Sequence, residues 1–218
     1  LADNLAAGDA NETTDVFLFD RTTGAVTLVS HAAGDPAAVT RFGGSFPVLS
    51  ADGRFVAFTS DSDNLAAGSA DANGTSDVFL YDRVADAAVL VSRSAADPSA
   101  AANGFSGGPA VSADGRFVAY TSGATDLVAG FTDANGPAGD VFLFDREAGT
   151  ATLVTHAPGG PTTTASTGLF LGGVTVSADG SAVAFVSDST DLVAGQADAN
   201  FNNDVFVFDR ATGEVALV

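Results

Sequence analysis

The sequence predicts an all-β fold, a β-propeller of four-stranded antiparallel blades, and three observations predict it. The segment DANGTSDVFLYDR, beginning at Asp71, returns as DANETTDVFLFDR at Asp9, DANGPAGDVFLFDR at Asp133 and DANFNNDVFVFDR at Asp198. A second segment, SADGRFVAF from Ser50, returns at Ser112 and Ser177, at spacings of 62 and 65 residues. Between these signatures the apolar runs are short, alternating, and rich in β-branched and aromatic residues, with no helical periodicity.

Each unit resolves into two hairpins. In the copy from Phe46 to Ser92, FPVLS and RFVAFTS flank the turn ADG, and DVFLYDR returns through a second turn as AAVLVS. Gly53, Gly115 and Gly180 supply the positive φ that closes the first turn, with the preceding aspartate bonded to the backbone. Gly24, Gly149 and Gly213 close the second, and Asp86 replaces glycine there in one copy, as aspartate tolerates the left-handed region.

A four-stranded sheet with two apolar faces cannot cover both by itself. Neighbouring units must stack, and a ring leaves only short edges exposed. A two-sheet sandwich does not need four near-copies of one hairpin pair. The chain opens with a loop and a second hairpin, followed by three full units, which makes 14 strands or about three and a half blades: a half blade in 1–30 and blades near 45–92, 107–155 and 172–218. The 218 residues are thus one propeller domain or a portion of one. The ring is incomplete, to be closed by residues outside the chain or by another subunit.

The chain carries a net charge of −19 from 8 basic and 27 acidic side chains. Nucleic acid is excluded as a partner on that balance. All basic residues are arginine, and only Glu12, Glu147 and Glu214 among the acids are not aspartate, the carboxylate that suits turns, caps and calcium loops. The surfaces of secreted and salt-adapted proteins share such a charge. The absence of cysteine removes disulfides and thiolate catalysis together. No segment reads as a signal peptide or membrane span, and a chain that starts at Leu1 and lacks methionine reads as a processed product or part of something longer.

SADGRFVAFTSDSDNLAAG, DANGTSDVFLYDR and the hairpin that follows resemble the TolB-like, WD-like propeller repeats of bacterial envelope and secreted proteins, over nearly the whole chain. Where that family has proline after the serine of the first motif, this sequence has Ala51, Ala113 and Ala178, which implies a subgroup with the longer D-x-N loop. The resemblance implies a propeller and leaves function open between a docking platform, a domain attached to a peptidase and a carbohydrate-associated module.

The D-x-N loops have two readings. Oxygen-bearing side chains at positions 1, 3, 5 and 7 suit calcium: Asp9, Asn11, Thr13 and Asp15; Asp71, Asn73, Thr75 and Asp77; Asp198, Asn200, Asn202 and Asp204. The third copy, Asp133, Asn135 and Asp140, is interrupted by Pro137 and one extra residue, so it is expected to be the weakest. No bidentate glutamate follows, which excludes an EF-hand. In the other reading each Asp-x-Asn is an Asx-turn and the last aspartate brackets the next strand. Asp63, Asp126 and Asp191 read as turn formers.

Catalytic constellations are thin. His31 and His156 occupy matching places where the middle repeat has Arg93, and are expected on solvated surface rather than as bases. No nucleophile elbow, zincin helix or phosphate loop is present, and aspartates in every blade do not single out an acid and base pair. The Asp-Arg pairs at 20–21, 82–83, 145–146 and 209–210 are expected to order turns or link blades. Phe17, Phe19, Phe79, Phe142, Phe144, Phe206 and Phe208 are expected between blades, whereas Phe42, Phe105 and Phe170, in glycine-rich connections, face one end of the ring. The functional expectation is a non-catalytic, calcium-stabilised scaffold that binds a protein or ligand, secreted or envelope-associated. The alternatives are a propeller attached to a hydrolase domain outside this chain and a glycan-binding or lyase propeller.

Overall fold

The computed structural model describes Leu5 and residues 11–136, 138–165, 173–196 and 202–218. Every regular element among them is a strand: β1 (Phe17–Phe19), β2 (Val26–Leu28), β3 (His31–Ala32), β4 (Asp35–Val39), β5 (Ser45–Leu49), β6 (Phe55–Ser60), β7 (Asp77–Asp82), β8 (Ala87–Leu90), β9 (Ser106–Val111), β10 (Phe117–Ser122), β11 (Asp140–Asp145), β12 (Thr150–Leu153), β13 (His156–Ala157), β14 (Gly160–Thr164), β15 (Thr175–Val176), β16 (Ala182–Ser187), β17 (Asp204–Asp209) and β18 (Glu214–Leu217). No helix among these residues is long and apolar enough to cross a membrane.

The sheets are antiparallel meanders. β5 to β8, β9 to β12 and β15 to β18 form three four-stranded blades, and β1 pairs with β2 as an outer half blade. The fold is an all-β propeller arc of three and a half blades. Its 14 blade strands are joined by two small hairpins that the repeat pattern did not foresee, β3–β4 and β13–β14. Their turns contain Gly34 and Gly159, both at positive φ. In the middle repeat, which lacks that glycine, only a bridge between Arg93 and Ala101 remains.

The first hairpin of each blade is closed by one repeated device. The Ser50 hydroxyl donates to Asp52 at 2.6 Å while accepting the Phe55 amide at 2.9 Å, and Asp52 accepts the Arg54 amide. Ser112 with Asp114 and Ser177 with Asp179 repeat it. These bonds to ionised oxygens hold Asp52 and Asp114 below the usual carboxylate range. In the second turn Asp86 takes φ of 50°, in place of the glycines of the other copies.

Alternation along the strands then builds the stack. Phe58, Phe79 and Tyr81 face Val16 and Val29 of the half blade. Phe55, Ala57, Val78 and Leu80, on the opposite face, meet Val118, Tyr120, Phe142 and Phe144 of the next blade. Phe117, Val141 and Leu143 in turn meet Val183, Phe185, Phe206 and Phe208. The two central strands of each middle blade are therefore almost wholly buried, each large side chain contributing about 1.5–3 kcal/mol. At the ends of the arc this cover is missing: Phe19, expected between blades, is 61% exposed, and Val205 is 47% exposed.

Arginines tie the blades at their tips. Arg83 donates to Asp20 of the half blade at 2.6 Å, and Arg54 and Arg116 fork onto Asp82 and Asp145 within their own blades. Arg146 and Arg210 donate to the carbonyls of Gly115 and Gly180 in their own blades and lie over Phe55 and Phe117 of the preceding blade.

Candidate functional site

The D-x-N loops are the most elaborate polar structure of the chain, and the strand they precede explains why. Each apolar third strand must be entered from a loop without leaving amides unpaired, and the aspartate at its start does this with a hydroxyl from the end of the fourth strand. Ser92 donates to Asp77 at 2.7 Å and accepts the Val78 amide at 2.9 Å. Ser30 joins Asp15 to the Val16 amide, and Thr155 joins Asp140 to the Val141 amide, in the same way. This knot pins the third strand to the fourth at its open end. The repeated Ser or Thr after the "LV" pair was visible in the sequence, but its partner lies 15 residues back.

Upstream, Asp71 accepts the amides of Asn73 and Gly74, and Asn73 accepts the amide and hydroxyl of Thr75, so two Asx-turns follow each other. The Asn73 amide nitrogen donates to Asp77 at 3.2 Å and to the Ala102 carbonyl at 2.6 Å. Asn11 likewise bonds the Thr40 carbonyl and accepts the Thr13 amide. Asp133 accepts the Asn135 and Gly136 amides, and Asn135 donates to Asp140 at 3.3 Å. Asp9, Asp198, Asn200 and Phe170 lie outside the described residues; Asn202 and Asp204 stand at the entry to β17.

The loops differ in how completely they satisfy themselves. Asn73 is fully used, whereas Thr13 Oγ1, Asp15 Oδ2 and Asn135 Oδ1 are buried without a hydrogen-bond partner. In the first loop the Thr14 carbonyl, Thr13 Oγ1 and Asp15 Oδ1 crowd the space where a Gly43 side chain would begin. Among the described residues the unpartnered oxygens thus fall in the first and third loops, while spacing alone favours the second and fourth. Among the described residues no three acidic or histidine side chains converge on one point.

Burial shifts the strand-opening acids. Asp77 is 0% exposed, and desolvation pushes its carboxyl up to about 7, against the stabilising bond from Ser92. Asp140 is raised to about 6 for the same reason, opposed by Thr155. Asp71 and Asp133 add a smaller repulsive contribution to their respective neighbours.

The histidines are not on solvated surface. His31 and His156 are 3% and 7% exposed, because the connection after each fourth strand runs between blades. His31 lies 3.3 Å from Asp86 of the next blade, which also accepts the Tyr81 hydroxyl at 2.6 Å. His156 lies 2.9 Å from the carbonyl of Gly213. Arg93, at the equivalent place, donates to the carbonyl of Gly149 at 2.8 Å. All three bind the second turn of the following blade. Phe42 and Phe105 are about half exposed on their connections.

No known family profile and no curated protein sequence matches this chain. Solved structures do. The chain is similar in fold to TolB propellers. TolB from Acinetobacter baumannii aligns with 18% identity and a TM-score of 0.45 over 93% of this chain and 37% of its own. A putative TolB from Agrobacterium tumefaciens aligns with 14% identity and a TM-score of 0.48, over 94% and 56% respectively. Pyrococcus horikoshii acylaminoacyl peptidase aligns with 12% identity and a TM-score of 0.46, over 80% and 24%. The chain spans about a third to a half of the TolB structures and a quarter of the peptidase.

Proposed function

We propose that this chain is a non-catalytic β-propeller scaffold that binds a protein or ligand partner, in a secreted or envelope setting, with a ring completed by residues outside the chain or by another subunit. The observation that carries this reading is the repetition of polar contacts. The carboxylates of Asp15, Asp77 and Asp140 occupy equivalent structural bonds in successive blades, and the ring nitrogens of His31 and His156 do so in the first and third units. Catalysis needs one constellation unlike its neighbours. The exposed apolar residues at the two ends of the arc support completion of the ring from outside.

The expected result of a broad screen with esterase, peptidase and glycosidase substrates is no turnover by the 218 residues. Turnover abolished by His31→Ala or His156→Ala would overturn the reading in favour of an enzyme. A hydrolase domain beside the propeller in the full-length protein would favour the attached-domain alternative without making this chain catalytic.

We further propose that the acidic loops take calcium. Asp, Asn and Thr oxygens are the donor set of that ion, and the unpartnered oxygens of Thr13, Asp15 and Asn135 support it. When bound, the cation would neutralise carboxylates in a molecule carrying −19, with Asp15, Asp77 or Asp140 as the inner acid of each loop. An ion that binds only the folded state at about 100 times its Kd adds about 2.7 kcal/mol per site. Melting temperatures should therefore rise with calcium over chelator, and Asp15→Ala, Asp71→Ala and Asp133→Ala should each reduce that rise. Superimposable melts with calcium and with chelator would leave the loops as Asx-turns.

A further inference from the structure

A cavity of about 360 Å³ lies between the second and third blades, on the side of the second turn. Its walls are apolar, from Val91, Leu127, Val128 and Phe144, and its one charged group is Arg93. The next gap repeats the hollow at about 290 Å³, with His156 in place of Arg93 and Leu192 and Val193 in place of Leu127 and Val128.

The three gaps show what this position binds. His31, Arg93 and His156 are equivalent, and both ring nitrogens of each histidine face oxygen acceptors, so the position is built for a donor in two directions. In the first gap one of those acceptors is a carboxylate, Asp86, contributed by the following blade. The second gap has Gly149 where the first has Asp86, and a permanent cation where the first has histidine. Arg93 gives one nitrogen to the Gly149 carbonyl, lies over the Phe144 ring at 5.0 Å and has a buried Nε without a partner. It makes no ion pair among the described residues. Arg146 also borders a hollow, of about 190 Å³, but that one already contains the Asp82 carboxylate.

We propose that the Arg93 cavity is a binding site for a small organic carboxylate with an apolar tail. The carboxylate would stand where Asp86 stands in the first gap, and the tail would fill the space walled by Leu127, Val128 and Phe144. A volume of this size is that of a small-molecule pocket with one polar anchor. The proposal is independent of the calcium loops and of whether the chain is catalytic.

The test is a titration of the chain, followed by amide NMR shifts, with 3-phenylpropionate and hexanoate against 3-phenylpropanol and hexanol. The carboxylates should shift residues of 91–95, 127–129 and 149–151 saturably and bind at least about tenfold tighter than the alcohols. Arg93→Gln, which keeps a nitrogen donor for Gly149, should weaken the carboxylates by at least about tenfold and leave the alcohols unchanged. Gly149→Asp supplies the internal carboxylate of the first gap, at a φ of 71° in the left-handed region where Asp86 stands at 50°. An added Cβ there meets only the movable tip of Arg93, at 2.7 Å, so this variant should fold and exclude the carboxylates. Ala129→Trp, at an exposed place on the rim, should block both probe classes. Equal affinity for acid and alcohol, unchanged carboxylate binding in folded Arg93→Gln or Gly149→Asp, or no saturable shift in the parent chain up to about 10 mM would each overturn the proposal.

Discussion

Gly115→Ala is expected to destabilise the chain by about 3 kcal/mol, and Gly53→Ala by about 1 kcal/mol, although the two glycines occupy the same place in the same turn. Both have φ of 70°, so both substitutions carry the cost of a side chain in the left-handed region. They differ in what the new atom meets. At Gly53 it meets nothing within 4 Å; at Gly115 it overlaps the ring of Phe55 from the preceding blade. The Phe55 ring also carries the guanidiniums of Arg54 and Arg146, 4.8 and 4.7 Å from its centre, and is buried in the cluster between the two blades, so it has little room to move. Gly180 stands against Phe117 in the same way one blade on, and Gly180→Ala should behave like Gly115→Ala. Urea or thermal unfolding of the single variants measures this directly. Equal losses at 53 and 115 would mean that the cost is backbone strain alone and that the turn does not carry the blade stack.

That pair also shows where sequence reasoning succeeds and stops. The Asp-Gly turn was legible because its causes lie within five residues: a carboxylate, a serine hydroxyl and a residue free to adopt positive φ. The four-strand unit was legible because the alternation of Phe79, Tyr81 and their counterparts repeats at one period. The contact of Gly115 with Phe55 was not, because it joins residues 60 apart through a stacking that only the assembled arc defines. His31 and His156 were misplaced for the same reason. A connection between strands is ordinarily surface, and what buries these two is the turn of the following blade, with Asp86 in one case and Gly213 in the other. The small hairpins at β3–β4 and β13–β14 were missed because a two-residue strand paired to a five-residue one in a shifted register leaves almost no periodic signal. At the D-x-N loops the Asx-turns were legible as one of two readings, but the hydroxyl of Ser92 that ties Asp77 to its strand was not, as serine at a strand end reads as ordinary turn chemistry.

That hydroxyl leads to the second large effect, an inverted pH dependence. Asp77 titrates near the ordinary 3.8 when unfolded and near about 7 in the fold. Between those values the native state holds a proton that the unfolded chain has released, so stability falls as pH rises through the window from about 4 to about 7 and levels off above it. At about 1.4 kcal/mol per pH unit over which only the unfolded state is ionised, the loss from Asp77 alone is on the order of 4 kcal/mol. Asp140, raised to about 6, adds to it in the same direction. The surface acids work the other way but in a different range: Asp20, held down to about 2 chiefly by Arg83, contributes stability that is present above about pH 4 and lost as pH falls toward 2. In chelator the protein should therefore be most stable near pH 4–5 and weaken toward neutrality, and Asp77→Asn should flatten that decline. Ser92→Ala removes the hydroxyl that stabilises the ionised carboxylate and also strands the buried Val78 amide. It should cost about 2–4 kcal/mol at pH 7, and less at pH 4, where the protonated Asp77 needs the donor less. Calcium should act on the same window, since a bound cation favours the ionised carboxylates and would restore stability at pH 7 while changing little at pH 4. Guanidinium unfolding at several pH values, with chelator and with calcium, separates these contributions. A metal-free stability that climbs steadily from pH 4 to 7 would show that Asp77 is solvated in the native ensemble and that the Ser92 knot does not close as described.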